Sequence, residues 1–200
     1  CIYIGESAGY GATSGTNNTG GNNVAVGGIS QYQNTTGYQN TSVGHETLRL
    51  NTTGYQNTSI GFGAGRYSTS SAENSDVGYL AGYRRTTGTR NVIMGSVAGY
   101  FNTTGSNNVG LGYAALYAAT TTTGSVAVGS GALGAATLTA NYNTGIGFAA
   151  LANVTSGSVN TAIGMDSGKF ITTGAKNTIV GGFDGNQNGL DIRTLSNNIV

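Results

Sequence analysis

The chain has 200 residues, of which 36 are Gly, none is Pro or Trp and only 8% are charged, with a formal net charge of +1. So little charge argues against a disordered tail and leaves no clustered basic face for nucleic acid. No run approaches the ~18 apolar residues of a membrane-spanning helix, and Cys1 as the only cysteine excludes a disulfide framework or a cysteine-built zinc site.

Read from its start, the chain keeps restating one phrase: Asn57-Thr58-Ser59-Ile60-Gly61, then Asn91-Val92-Ile93-Met94-Gly95, then Asn160-Thr161-Ala162-Ile163-Gly164. The closing glycines are Gly5, Gly27, Gly44, Gly61, Gly78, Gly95, Gly112, Gly129, Gly147, Gly164 and Gly181. Their spacing is 17, except for 22 between Gly5 and Gly27 and 18 between Gly129 and Gly147. A period this tight predicts a solenoid with one turn per repeat.

With the closing Gly as position 0, position −1 is Ile4, Val26, Val43, Ile60, Val77, Met94, Leu111, Val128, Ile146, Ile163 and Val180, apolar throughout. Position −3 is nearly always β-branched, as in Thr58, Val92 and Thr161. Residues two apart share one face of a strand, and β-branched side chains suit it. Each repeat therefore predicts a short strand whose −1 residue faces inward as a core ladder. Position −2 is more permissive, running from Ala25 to Asp76 and Gly110, as an opposite face would be.

After the closing Gly comes a second short segment. Ala dominates +3 (Ala64, Ala81, Ala98), and Gly or Leu dominates +4 (Gly65, Gly82, Leu116, Leu133), which predicts a tight corner or close backbone approach. A polar corner follows, Asn34-Thr35-Thr36-Gly37 and again Asn51 to Gly54, its Gly expected to supply a positive φ. Asn recurs at −4, as in Asn40, Asn57, Asn74 and Asn91. Nothing repeats at 3.6 residues, and Gly every few positions would cost a helix ~1 kcal/mol each. A fixed offset stacks like on like, so the expected fold is all-β: a parallel β-solenoid of about eleven turns, each adding ~4.8 Å.

The expected organisation is one repeat domain over 1–200, a piece of a longer fibre. Its irregular insertions fall near 11–18 and 184–191. No signal peptide is visible, and both Cys1 and the unfinished repeat Asn197-Asn198-Ile199-Val200 suggest ends cut from something longer. Two or three inward apolar side chains per turn fall short of the cost of ordering 17 residues. The expectation is therefore burial between chains in a parallel homotrimer; a capped monomeric solenoid is the alternative.

Catalysis has few parts here. His45 is the sole histidine, and the seven acids (Glu6, Glu46, Glu73, Asp76, Asp166, Asp184, Asp191) fall in different repeats and positions, without the recurring pair that acid–base work needs. No enzyme is expected. Gly61-Phe62-Gly63-Ala64-Gly65 lacks the strand–helix setting of a phosphate loop. Asp184, Asn186 and Asn188 open like a calcium loop, with oxygen ligands at alternate positions, but Leu195 stands where the closing Glu belongs. Calcium is thus the one cofactor considered.

A Thr column (Thr35, Thr52, Thr69, Thr86, Thr103, Thr120, Thr155, Thr172) offers a ladder at strand spacing, which makes an ice-binding face a remote alternative. Tyrosines recur at +5 (Tyr10, Tyr32, Tyr83, Tyr100, Tyr117) and at −6 (Tyr38, Tyr55). Turned outward they form a stripe able to stack on sugars or a receptor; turned inward they pack chain against chain.

The phrases at 57–65 (Asn-Thr-Ser-Ile-Gly-Phe-Gly-Ala-Gly), 51–59 and 125–133 (Ser-Val-Ala-Val-Gly-Ser-Gly-Ala-Leu) resemble the repeats of trimeric fibres. Similar repeats occur in phage tail fibres and bacterial tail fibre domain proteins; the heads of trimeric autotransporter adhesins carry a shorter relative. The resemblance spans Ile2 to Val200 and implies a β-roll in a homotrimer, left-handed if it follows the adhesin heads. It implies an extracellular place, on a virion tail or a bacterial surface, and attachment to a host receptor or glycan. A passive spacer with its binding tip elsewhere is the structural alternative. The period here is longer than in the adhesin heads, and neither a membrane anchor nor a chaperone domain is visible in the sequence.

Overall fold

The computed structural model describes residues 1–11, 19–135 and 139–200. Eleven three-residue strands, β1 (Ile2–Ile4) to β11 (Thr178–Val180), form one parallel sheet in strict sequence order. Register follows the repeat: Ser42 of β3 (Thr41–Val43) lies beside Ser59 of β4 (Thr58–Ile60), and Ser59 beside Asp76. No helix occurs among the described residues. The chain is a parallel β-solenoid with a repeat of about 17 residues. Of the insertion expected near 11–18, all but Gly11 lies outside the described residues.

Hydrogen bonding does not stop at the strands. In the turn between Gly44 and Gly61, the Leu48 N–H donates to Ala64 O (3.1 Å), Leu50 to Arg66 O (3.0 Å) and Thr52 to Thr69 O (2.9 Å) in the turn that follows, while Gln56 donates back to Tyr38 O (3.0 Å) in the turn before. The whole circumference is thereby zipped to its neighbours. At the closing Gly the backbone is left-handed, and a Cβ on Gly61 (φ +123°) would sit 2.5 Å from Gly78 O, so the motif's last residue is fixed by contact between turns. The corner glycines are different. Gly37, Gly54 and Gly105 have no positive φ, contrary to expectation; a Cβ there would meet the next turn's carbonyl at 2.2–2.4 Å.

The strand faces are the reverse of those expected. The middle residue is the buried one: Ala25, Ser42, Ser59, Asp76, Ile93, Ala127, Ala162 and Ile179 at −2 are at most 1% exposed. The ladder Ile4, Val26, Val43, Ile60, Val77, Met94, Leu111, Val128, Ile146, Ile163 and Val180 faces outward, with Ile60 at 40% and Val180 at 68% exposure. The reason is room. The interior is already lined by Ala at +3 and by Asn at −4, both buried, and the −2 side chain must fit against whatever stands at +4.

Volumes at those two positions compensate. Where −2 is Ile93 or Asp76, +4 is Gly99 or Gly82; where −2 is Gly110 or Gly145, +4 is Leu116 or Leu151. A Cβ on Gly99 would stand 3.2 Å from Ile93 side-chain carbons. Left-handed backbone does not explain the Gly, because Leu116 (φ 54°) and Leu151 (φ 52°) adopt it too. Ala162 with Gly168 leaves both small, and there Ile171, Ile179 and Leu151 lie within 2.8–3.3 Å of the missing Cβ. The apolar cluster runs through these columns, from Ala81 and Ile93 to Ile171 and Ile192.

A buried amide column runs beside it. Asn57 Oδ1 accepts from Asn74 N–H (3.1 Å) and Asn74 Nδ2 (3.0 Å), and Asn74 Nδ2 also donates to Gly88 O (3.0 Å) across the turn. The same contacts recur from Asn23 through Asn108 and from Asn143 through Asn198. Ser125 stands in once, with Oγ accepting from Asn143 N–H at 3.1 Å.

Two outcomes follow. Gly99→Leu should destabilise by about 1–3 kcal/mol through overpacking, and adding Ile93→Gly should recover most of it in denaturant melts, a coupling that independent sites would not show. Asn91→Ala should cost more than Asn91→Ser, since Ser keeps an acceptor for the Asn108 N–H, and each orphaned buried group costs about 1–3 kcal/mol.

Candidate functional site

The tyrosines at +5 stand half-exposed on the outer surface and stack turn upon turn. Tyr10 lies 5.4 Å from Tyr32, Tyr83 5.0 Å from Tyr100, and Tyr100 5.6 Å from Tyr117, all near-parallel. Tyr38 and Tyr55 stack likewise at 5.0 Å. His45 joins a third column, 5.6 Å from Phe62, which in turn lies 5.7 Å from Tyr79. Stacking at this spacing is what a turn repeat of ~4.8 Å imposes on identical side chains.

The densest group spans Arg66 to Tyr117. Position +6 carries Tyr67, Arg84 and Phe101 in three successive turns, a second column that reading +5 alone misses. Its signal was in the sequence as three neighbouring pairs at one offset: Arg66-Tyr67, Tyr83-Arg84 and Tyr100-Phe101. Phe101 meets Tyr100 and Tyr117 edge-on at 4.7 and 5.3 Å, and Tyr67 meets Tyr83 edge-on at 5.1 Å. The Arg66 guanidinium lies over both Tyr67 (5.3 Å) and Tyr83 (5.7 Å), donates to Tyr83 Oη (2.6 Å) and pairs with Glu46 (3.2 Å). Arg84 lies over the Phe101 ring at 5.2 Å. Two clefts open here, one of about 290 Å³ lined by Tyr67, Arg84, Thr86 and Thr103, the other of about 220 Å³ lined by Phe101, Tyr117, Ala118, Thr120 and Gly134.

The Thr column points its hydroxyls along the rod. Thr52 Oγ1 donates to Thr69 O (2.9 Å), Thr69 Oγ1 to Thr86 O (3.1 Å) and Thr103 Oγ1 to Thr120 O (2.9 Å), so each hydroxyl proton is used within the fold. Around Asp184, Asn186 and Asn188 the chain closes tightly. Asn186–Gln187 (β12) pairs antiparallel with Leu190–Asp191 (β13), and Asp184 Oδ1 accepts from the Asn186 N–H at 2.9 Å. Among the described residues, no group of three or more His, Cys, Asp or Glu gathers about a common point.

The acids are spread among structural pairs: Glu46 with Arg49 and Arg66, Asp166 with Lys169, Asp191 with Arg193. One pair is unexpected. Asp76 at −2 points into the solenoid and pairs with Arg85, both almost wholly inaccessible. Arg85 also reaches Asn74 Oδ1 at 3.3 Å, while Asp76 Oδ1 and Arg85 Nε find no partner among the described residues. Burial pushes the Asp76 carboxyl up, and the adjacent guanidinium opposes this. The sequence hid the pair because each member stands in a column whose other members carry no charge.

Comparison with protein-family models, with curated proteins and with solved structures finds no match for this chain.

The buried pair makes a prediction. Arg85→Ala should destabilise by about 3–5 kcal/mol by stranding the carboxylate. The double change Asp76→Ile with Arg85→Asn copies the neighbouring Ile93, Gly99 and Asn102 arrangement and should be neutral or stabilising. A raised folded-state pKa means Asp76 contributes its full stability below the unfolded value, near pH 4, and loses it as pH rises through the folded value. Thermal melts of both proteins from acid to neutral pH should therefore show the double variant's relative stability rising with pH.

Proposed function

We propose that this chain is a segment of an extracellular attachment fibre, built as a parallel, in-register homotrimer. The observation that carries the reading is the outward apolar face of the sheet. Its −1 ladder runs beside Phe62, Tyr79, Tyr113, Phe148 and Met165 at +1, each 46–68% exposed. An apolar stripe along the whole sheet exceeds what a soluble monomer ordinarily shows and marks an interface. Copies of the same chain are the fitting partners, because a repeat of constant spacing meets itself at every level only in parallel register. Three such faces converge on one axis and leave the aromatic–arginine surface free for contact with a host. The resemblance to trimeric fibre repeats supports the same assembly and an attachment role. A spacer shaft would share the assembly but lack the contact.

Light scattering on the purified chain is expected to give three times its mass of 20.0 kDa. Ile60→Asp with Ile163→Asp should abolish that species, while Thr53→Asp, on an exposed polar site, should not. A stable folded monomer at micromolar concentration overturns the assembly. Binding of the labelled chain to intact bacterial cells separates attachment from spacing.

A further inference from the structure

We infer that the cleft between Tyr67 and Arg84 is a binding site for an acidic glycan, one that presents a pyranose ring carrying a carboxylate. The inference rests on the attachment reading and supplies its ligand class. Four features of the cleft make the case.

The first is an uncommitted charge. Arg66 is spent on Glu46 at 3.2 Å and on the Tyr83 hydroxyl at 2.6 Å. Arg84 differs: it is exposed, and none of the ion pairs among the described residues involves it. The Phe101 ring beneath it, 5.2 Å from the guanidinium carbon, steadies one face of the guanidinium without neutralising it. A planar, always charged fork left open beside a cleft matches the two oxygens of a carboxylate.

The second is a ring platform. Tyr67 is 37% exposed at the cleft wall, held edge-on by Tyr83 and covered by Arg66. An aromatic face is apolar and electron-rich, which suits the C–H face of a sugar ring and suits an acidic peptide or a phosphate poorly. The third is the supply of acceptors. Thr86 and Thr103 donate their hydroxyl protons to Thr103 O (3.1 Å) and Thr120 O (2.9 Å), so their oxygens present lone pairs to a ligand that donates. Sugar hydroxyls donate; a bare anion does not. The fourth is size. At about 290 Å³ the cleft lies at the small end of ligand sites and admits one or two rings. The second cleft, at Phe101 and Tyr117, lies farther along the same aromatic columns, so a chain of sugars running with the rod meets a further aromatic wall.

The wall bearing this cleft is not the proposed interface. Ile93 reaches across the interior to Gly99, so the sheet and the +5 and +6 columns lie on opposite sides of the turn.

The test is titration of the whole chain with galacturonic acid oligomers and sialyllactose, against cello-oligosaccharides and lactose as neutral controls, read by calorimetry and by ligand-observed NMR. Acidic sugars are expected to bind better than their neutral counterparts. Arg84→Gln should weaken acidic binding about tenfold or more, the loss of a charged hydrogen-bond pair, and leave any weak neutral binding unchanged; Tyr67→Ala should weaken both. Lys176→Gln, exposed and several turns from the cleft, serves as control. Equal binding of neutral and acidic sugars, indifference to Arg84→Gln, or no binding to any of the four each overturn the inference. Light scattering on the same samples keeps the readings apart: a monomer that binds acidic sugars removes only the trimer, and a trimer that holds bacterial cells but ignores all four sugars removes only the glycan site.

Discussion

The column of buried Asn side chains at −4 is the constraint to which the rest of the turn conforms. Each amide is acceptor for the turn that follows and donor to a corner carbonyl across its own turn, as Asn57 and Asn74 show at 3.0–3.1 Å and 2.9–3.0 Å. A buried amide left half-satisfied would be expensive, so the corner must stand at one distance from the strand in every turn. That requirement fixes where the corner stands and not the residue count: the contact spans 17 residues from Asn57 to Asn74 and 21 from Asn177 to Asn198, the added residues looping out between. It also brings the corner so close to its neighbour that a Cβ on Gly54 would meet Ser71 O of the next turn at 2.4 Å.

The narrow interior follows from that spacing. With amides on one side and Ala at +3, the remaining space is filled by medium side chains from −2, +4 or +7, as Ile93, Leu116 and Ile171 do. The β-branched and aliphatic residues at −3 and −1 therefore face outward, where they stack on identical neighbours and leave an apolar surface. Asp76 and Arg85 occupy the same space with charge in place of an aliphatic chain, and their unsatisfied atoms show how poorly charge fits there. On the opposite wall, the +5 and +6 side chains are free of packing duty and carry the chain's densest group of aromatic and arginine side chains.

Much of this was legible in the sequence. The nearly constant offset of the closing glycines is met by parallel stacking, and the strands fall on the three residues before each Gly, from Ile2–Ile4 to Thr178–Val180. The tyrosine columns were legible for the same reason. Position +6 was overlooked because it alternates Tyr67, Arg84 and Phe101, whose common property is contact with a ring rather than residue type. The Asp184 segment, which reads as alternating oxygen ligands, is in the fold a hairpin closed by Asn188-Gly189.

Period and register are properties of the sequence itself, since a repeat stacks on its own copy whatever its cross-section. The direction of each face is not. An alternating strand offers two faces related by a shift of one residue, and apolar residues at −1 and −3 look like a core face when the strand is read alone. Only the closed turn sets Ile93 against Gly99 and Leu116 against Gly110, and the volume available there, not the hydrophobicity of the column, decides which face turns inward.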